Sequence, residues 1–215
     1  MKRKITKRII FLITIIGIGI AIYFIGRNAY FGAKYPIGEP IDTLNNVVVY
    51  YNGSTRNVLE RNTTKDGYNL GLKYQCVEFV KRYYYEVYDH KMPDSYGHAV
   101  SFFDKYLRDG SMNSRRELIQ YKNPGKKPQI GDLIVMDKTL WNRYGHVAIV
   151  SEVTGNDIEI TQQNPGPYAE SRVRIPMYQT NGGAWFVDHK RVLGWLHYDK
   201  EQIKVYRETK MISPD

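Results

Sequence analysis

A chain of 215 residues with a formal net charge of +9 and a single cysteine has room for one domain of ordinary size, with its own core, beside a short appendage. One thiol excludes an internal disulfide framework, and five histidines beside it offer no zinc-ligand spacing, so neither a metal nor another cofactor is expected. The charge is concentrated: the first 27 residues hold six Lys/Arg and no acid, which leaves 25 of the 31 basic residues against all 22 acidic ones, a small surplus that argues against a nucleic-acid partner.

Lys2, Arg3, Lys4, Lys7 and Arg8 open the chain and precede an almost unbroken apolar run from Ile9 to Gly26. Its length lies at the short end of the roughly 17–25 residues that cross a bilayer. A cleaved secretory signal has a shorter apolar core and a small-residue cleavage site, but here Ala29 follows Arg27 by two places and Ala33 follows Phe31. No cysteine follows the run for lipoprotein processing. Residues 1–27 therefore read as a basic cytoplasmic tail and an uncleaved transmembrane signal anchor, with a cleaved, secreted form as the alternative. The basic cluster stays in the cytoplasm, which predicts a single-pass cell-membrane protein whose remaining residues lie on the extracytoplasmic side.

Residues 28–64 read as a linker and lead-in, with one short strand at Val47–Tyr51 that ends at Asn52-Gly53. Residues 65–200 form the predicted domain and 201–215 a C-terminal tail. Asn69–Leu72 reads as a loop leading to Cys76. From Gln75 to Tyr88 there is no glycine or proline, and Val77, Val80, Tyr84 and Val87 recur at helical spacing. Glu78, Lys81, Arg82 and Glu86 are the expected polar cover of that helix. A second helix is expected over His98–Leu107, then a polar, basic connection from Ser111 to Lys127. Ile130–Met136, His146–Val153, Asp157–Gln163 and Val192–Tyr198 read as strands. Helices followed by a strand run predict an α+β domain: N-terminal helices packed on a mainly antiparallel sheet, preceded by one transmembrane helix.

Cys76 stands where a polar loop becomes a helix, and His146 opens a hydrophobic strand in Gly145-His146-Val147-Ala148-Ile149-Val150. Free cysteine is among the most buried residue types, so a small core residue is the plain alternative to a nucleophile. A nucleophile at a helix start and a base at a strand start suggest a papain-like thiol hydrolase. A free thiol has a pKa of roughly 8.5 and only the thiolate attacks. The first turn of a helix offers unpaired N–H groups and the positive end of the macrodipole to stabilise that anion. His146 is the candidate proton carrier. The N–H of Cys76 and the amide of Gln75 are candidate oxyanion donors.

Tyr74-Gln75-Cys76-Val77-Glu78-Phe79-Val80, Gly131-Asp132-Leu133-Ile134-Val135, Gly145–Val150 and Gln162-Gln163-Asn164 occur in that order. From Gly67 to Tyr198 the chain resembles the CHAP family, the cysteine- and histidine-dependent amidohydrolases and peptidases. It is especially similar to the amidase domain of glutathionylspermidine synthetase/amidase. The resemblance implies catalytic Cys76 and His146, with a third residue orienting the histidine from the following strand. That residue is commonly Glu or Asn in the family; here the matching position is Gln162, whose carbonyl can accept the imidazole N–H without the charge of a carboxylate.

Strand alternation leaves the orienting residue open. A two-residue turn at Gly155-Asn156 sets Gln163 on the face of His146, whereas a three-residue loop shifts the register by one and selects Gln162 and Asn164. The resemblance favours Gln162, with Asn164 in support.

Among the aromatic residues, Trp141, Tyr144, Tyr168 and Trp185 are candidates for a substrate groove, the first three on loops near His146 and Asn164. His90 and His98 read as surface or helix-terminal residues, and His197 as a core or strand residue. The resemblance and the expected location together imply a membrane-anchored cysteine amidase or endopeptidase acting on peptidoglycan or another amide-containing substrate. A glutathionylspermidine-type amidase is the enzymatic alternative, disfavoured by the anchor and by the chain ending soon after the amidase-like region. A catalytically degenerate wall-binding module is the non-enzymatic one.

Overall fold

The computed structural model describes residues 2–30, 34–140, 142–166 and 168–212. Helix α1 runs from Lys2 to Tyr30. Within it, the 18 residues Lys7–Phe24 have a mean hydropathy of 2.0 and bury none of their surface against the rest of the chain. The helix is long and apolar enough to cross a membrane.

Two small hairpins follow, β1 (Pro40–Leu44) with β2 (Val47–Tyr50), and β3 (Arg61–Thr63) with β4 (Asn69–Leu72). The stretch 69–72, expected to be a loop, is thus a strand. Its Gly71, at φ +128°, lets the backbone lie against the next helix, where a Cβ would come within 3.2 Å of the Glu78 backbone.

Helix α2 (Cys76–Tyr88) lies where its periodicity predicts. Phe79, Val80, Tyr83 and Tyr84 are fully buried, and Phe79 and Val80 each gain about 1.5–3 kcal/mol from leaving water. The expected polar face is not a solvent face, however. Glu78, Lys81 and Arg82 are all buried, because both hairpins and the segment around Ser95 wrap the helix. Each charge is matched: Arg82 Nε lies 2.7 Å from Glu78 Oε1, Arg82 Nη2 donates to Val48 O, and Glu78 also accepts from Asn62 and Gln163. Lys81 Nζ donates to the carbonyls of Asn69 and Ser95.

The helix expected over His98–Leu107 is only a four-residue 3-10 turn, Ala99–Phe102. Phe103 is extended at φ −104° and ψ 126°. Beyond it Gln120 captures the Asp104 backbone through both its donor and its acceptor, and Asp104 Oδ1 takes the Tyr106 N–H. Local side-chain bonding thereby replaces the helical ladder. The expected connection 111–127 contains two strands, β5 (Ser111–Asn113) and β6 (Leu118–Lys122). Their core contribution is masked in the sequence by buried polar side chains, Arg116 and Gln120 among them.

Strands β7 (Leu133–Met136), β8 (His146–Val153), β9 (Asp157–Thr161), β10 (Arg172–Gln179), β11 (Trp185–Val187) and β12 (Val192–His197) complete an antiparallel eight-stranded sheet of order β11-β10-β9-β8-β7-β12-β6-β5. Helix α3 (Lys200–Ile212) follows. One face of the sheet packs Leu133, Val135, Val147 and Ile149 against α2. The other face gathers Ile134, Ala148, Val150, Ile160 and Trp195. A reciprocal backbone bridge between Gly125 and Trp185 ties the segment after β6 to the far edge strand, so the sheet curls around this second cluster. Burial on both faces explains why β7 and β8 read as continuous apolar runs. The architecture is α+β with an antiparallel sheet.

Candidate active site

The site is built where two elements begin. Gln75 is the N-cap of α2 with extended backbone, and Phe79 N–H is the first to bond back, to Gln75 O at 3.2 Å. The N–H groups of Cys76 and Val77 therefore precede the helical ladder, and both lie against the Cys76 sulfur. So does the backbone N–H of Val147, on the strand that His146 opens. The ladder between β8 and β9 ends at Ile149 and Thr161, which leaves residues 146–148 free on that side to meet the start of α2. Cys76 and His146 line one cleft of about 820 Å³.

Gly145 sets the entry of β8. Its φ of +75° is one that L side chains rarely adopt, and a Cβ there would stand 2.6 Å from Met136 O. Asn142 Nδ2 holds the Gly145 carbonyl at 2.9 Å.

The orienting contact follows from a β-bulge. The β8–β9 hairpin starts in the register of a two-residue turn, with Val153 opposite Ile158 and Glu152 opposite Glu159. Ser151 is then an extra residue, and Val150 faces Ile160. The shift by one turns Gln162 rather than Gln163 toward His146, and His146 Nε2 lies 2.9 Å from Gln162 Oε1. Gln163 points instead to α2, bonding Gln75 O and Glu78 Oε2.

Gln162 Nε2 donates to Glu170 O at 3.0 Å, which fixes the amide with its oxygen toward the ring. That oxygen can only accept, so Nε2 of His146 carries the hydrogen and Nδ1 keeps its lone pair. The free nitrogen is the one that can act as a base.

Burial sets the resting protonation. Cys76 is 9% exposed and His146 5%. Burial pushes the thiol up to about 11, against the opposing pull of the N–H groups of Val147, Val77 and Cys76. Burial likewise pushes His146 down to about 4, although the Gln162 bond favours its charged form. The proton therefore rests on sulfur, in contrast to the thiolate expected from the helix start alone. Arg191, whose Nε donates to Asp137 O, adds positive charge that opposes the rise of the thiol and contributes to the fall of His146.

Gln75 has its backbone N–H on Leu72 O and its side-chain Nε2 on Asn57 O. Its Oε1 accepts from Asn164 Nδ2 at 2.8 Å. Asn164 holds a left-handed backbone at φ +57°, which asparagine tolerates. Tyr144 lines the cleft and packs on His98, ring centroids 4.6 Å apart. Tyr168 is exposed and is not among the residues that line the cleft. Trp185 packs against the second core cluster on β11, and Trp141 lies outside the described residues. His90, read as a surface or helix-terminal residue, directly follows the C-cap Asp89 of α2 and is buried, with Nε2 2.8 Å from Arg116 O. His197 pairs with Asp132 at 2.7 Å.

The cleft also draws on residues that sequence reasoning passed over, in the segments 55–61 and 95–99. No periodicity or motif marks them, since they lie in loops or at the first residues of β3 and the 3-10 turn. Among the described residues there is no cluster of His, Cys, Asp and Glu fit for a metal.

Residues 65–164 match the family model of the CHAP domain. Over 138 residues the chain is 29% identical to the bifunctional glutathionylspermidine synthetase/amidase of Escherichia coli (strain K12), covering 59% of this chain and 22% of that protein. It is 29% identical over 144 residues to the glutathionylspermidine synthase of Crithidia fasciculata, covering 59% and 19%. It is 31% identical over 100 residues to the trypanothione synthetase of the same organism, covering 46% and 15%. The chain thus spans about a fifth of the length of the curated relatives it matches. The resemblance to the CHAP family, and to the amidase domain of glutathionylspermidine synthetase/amidase, is shown over this region.

Proposed function

We propose that the CHAP-matched region of this chain is a cysteine amidase or endopeptidase, with Cys76 as nucleophile, His146 as proton carrier and Gln162 as the residue that positions the imidazole. The observation that carries this reading is the tautomer: a buried imidazole with Nδ1 bare, in one cleft with the thiol of a helix start.

With the proton resting on sulfur, attack on the substrate carbonyl is coupled to transfer of that proton to His146 Nδ1. The carbon–sulfur bond forms as the carbonyl π pair moves onto oxygen. The N–H groups at the start of α2 are the candidate donors for that oxyanion. His146 then gives its proton to the departing amine, and the carbon–nitrogen bond breaks to leave a thioester. Water, deprotonated by the same nitrogen, releases the acid and restores the thiol. One amide and one water yield one acid and one amine.

We assign the substrate to peptidoglycan and α1 to a membrane anchor with the domain outside the cytoplasm. The apolar helix and the basic residues before it support that location, where wall peptides are an abundant source of amide bonds. Similarity to glutathionylspermidine synthetase/amidase favours a second reading, cleavage of a glutathionylspermidine-type amide.

Zymography on purified peptidoglycan, followed by mass spectrometry of the released fragments, tests the assignment. Clearing by the wild type, absent with Cys76→Ala, is expected, with new amine and carboxyl termini in the products. Equal clearing by both proteins overturns it. Release of spermidine from purified glutathionylspermidine, without clearing, selects the second reading.

A further inference from the structure

The cleft has an uneven charge. Arg56, Arg61 and Arg143 line it, and none of its lining residues is Asp or Glu. Three arginines elsewhere on the surface are matched, Arg172 with Asp42 and Glu159, Arg174 with Glu152 and Asp157, and Arg207 with Glu117, whereas exposed Arg108 and Arg115 form no ion pair among the described residues. Among the described residues the three cleft arginines form no ion pair. Arg61 donates to the neutral Asn69 Oδ1 and stands over the Tyr96 ring, and Arg143 stands over Tyr144. These contacts hold the guanidinium groups without neutralising them.

In the wall behind, buried Arg116 donates to the carbonyls of Asp94 and Tyr96 and lies 3.9 Å from Asp94 Oδ2, while Lys81, which burial brings down to about 7, holds the Ser95 carbonyl; these bonds fix the segment from which Ser95 and Tyr96 line the cleft. A concave surface lined by one sign of charge concentrates ligands of the other sign.

A second observation is independent of charge. Asn164 lines the cleft at 8% exposure, and its Oδ1 is buried with no hydrogen-bond partner. Its Nδ2 is held by Gln75 Oε1, so the amide is fixed with its acceptor unused. A buried acceptor without a partner costs about 1–3 kcal/mol, a cost removed when a ligand N–H reaches it.

We propose that this cleft selects an acidic peptide: Arg56, Arg61 and Arg143 bind free carboxylates on the substrate, and Asn164 Oδ1 accepts one of its backbone N–H groups. The proposal deepens the amide-hydrolase reading and rests on it for the meaning of the cleft. It also disfavours a polyamine conjugate, whose leaving group carries the same charge as the cleft.

The test is a binding measurement, so that it stands apart from turnover. The full chain with Cys76→Ala, in detergent, is titrated calorimetrically with three probes. These are the peptide L-Ala-γ-D-Glu-L-Lys-D-Ala acetylated on both amines, so that its two free carboxylates leave it with a net charge of about −2, the same acetylated peptide with its carboxylates amidated, and glutathionylspermidine. The acidic peptide is expected to bind about tenfold tighter than its amidated form, a preference that shrinks with added salt. Adding R61Q and R143Q brings that ratio close to one, whereas R61K and R143K keep most of it, a pattern that a merely structural role does not produce.

Equal affinity for the two peptides, no measurable binding of the acidic one, or tighter binding of glutathionylspermidine overturns the proposal. Retained preference together with no clearing of peptidoglycan and no release of spermidine by the wild type refutes the hydrolase reading and leaves the acidic-ligand site standing.

Discussion

The side chain of Gln162 joins His146 to the backbone of Glu170, accepting from His146 Nε2 at 2.9 Å and donating to Glu170 O at 3.0 Å. Through that one amide, a loop carbonyl selects the tautomer of the imidazole that shares a cleft with Cys76.

Replacing Gln162 separates orientation from charge. Gln162→Ala is expected to lower kcat by about 100-fold, between the roughly tenfold cost of one hydrogen bond and the ~10⁴ of a reversed tautomer. Gln162→Glu places an anion beside a ring that burial holds near 4, so the imidazole pKa rises and the Cys76 thiol falls from its value of about 11. Iodoacetamide labelling of Cys76 against pH reads the second effect. Its midpoint is expected above that of a free thiol in the wild type and lower in Gln162→Glu; the same midpoint in both rules out coupling through this bond.

Gly145 governs where β8 begins. Gly145→Ala combines a positive φ with a Cβ 2.6 Å from Met136 O, a backbone atom that cannot swing aside. A loss of about 2 kcal/mol or more is expected in urea denaturation, with a fall in turnover greater than that loss explains because His146 is displaced. Unchanged stability and turnover would falsify the steric account.

Glu78 is the buried hub that binds Arg82, Asn62 and Gln163. Glu78→Ala leaves a buried guanidinium uncompensated and is expected to cost about 3–5 kcal/mol. In the double variant with Arg82→Met the second change should restore part of the loss, because it removes the unpaired charge. Simple additivity in a double-mutant cycle would show that the pair does not interact.

Lys81 ties stability to pH. Burial lowers it from 10.5 to about 7. Below about 7 both folded and unfolded chains hold the proton; between about 7 and 10.5 only the unfolded chain does. Stability therefore rises with pH across that window. Lys81→Met removes this contribution, so the stability difference between wild type and variant should change from pH 7 to pH 9.5. A constant difference would mean that Lys81 titrates alike in both states.

The positions of Cys76 and His146 were legible because both belong to local patterns. A helical period without glycine or proline starts at one, and an apolar strand after a glycine starts at the other. Such patterns depend on residues a few places away, which a sequence displays directly. The helix expected over 98–107 failed for the opposite reason. Its backbone donors and acceptors were taken by Gln120, a residue whose approach depends on the folded sheet.

What the sequence determined by itself was the pair of chemical groups and the elements that carry them. The tertiary structure alone decided which glutamine meets the histidine, because one extra residue at Ser151 shifts a register that the turn does not set. It also decided where the proton rests and which charges face the cleft. Both follow from burial, and burial belongs to the packing of segments far apart in the chain rather than to any one of them.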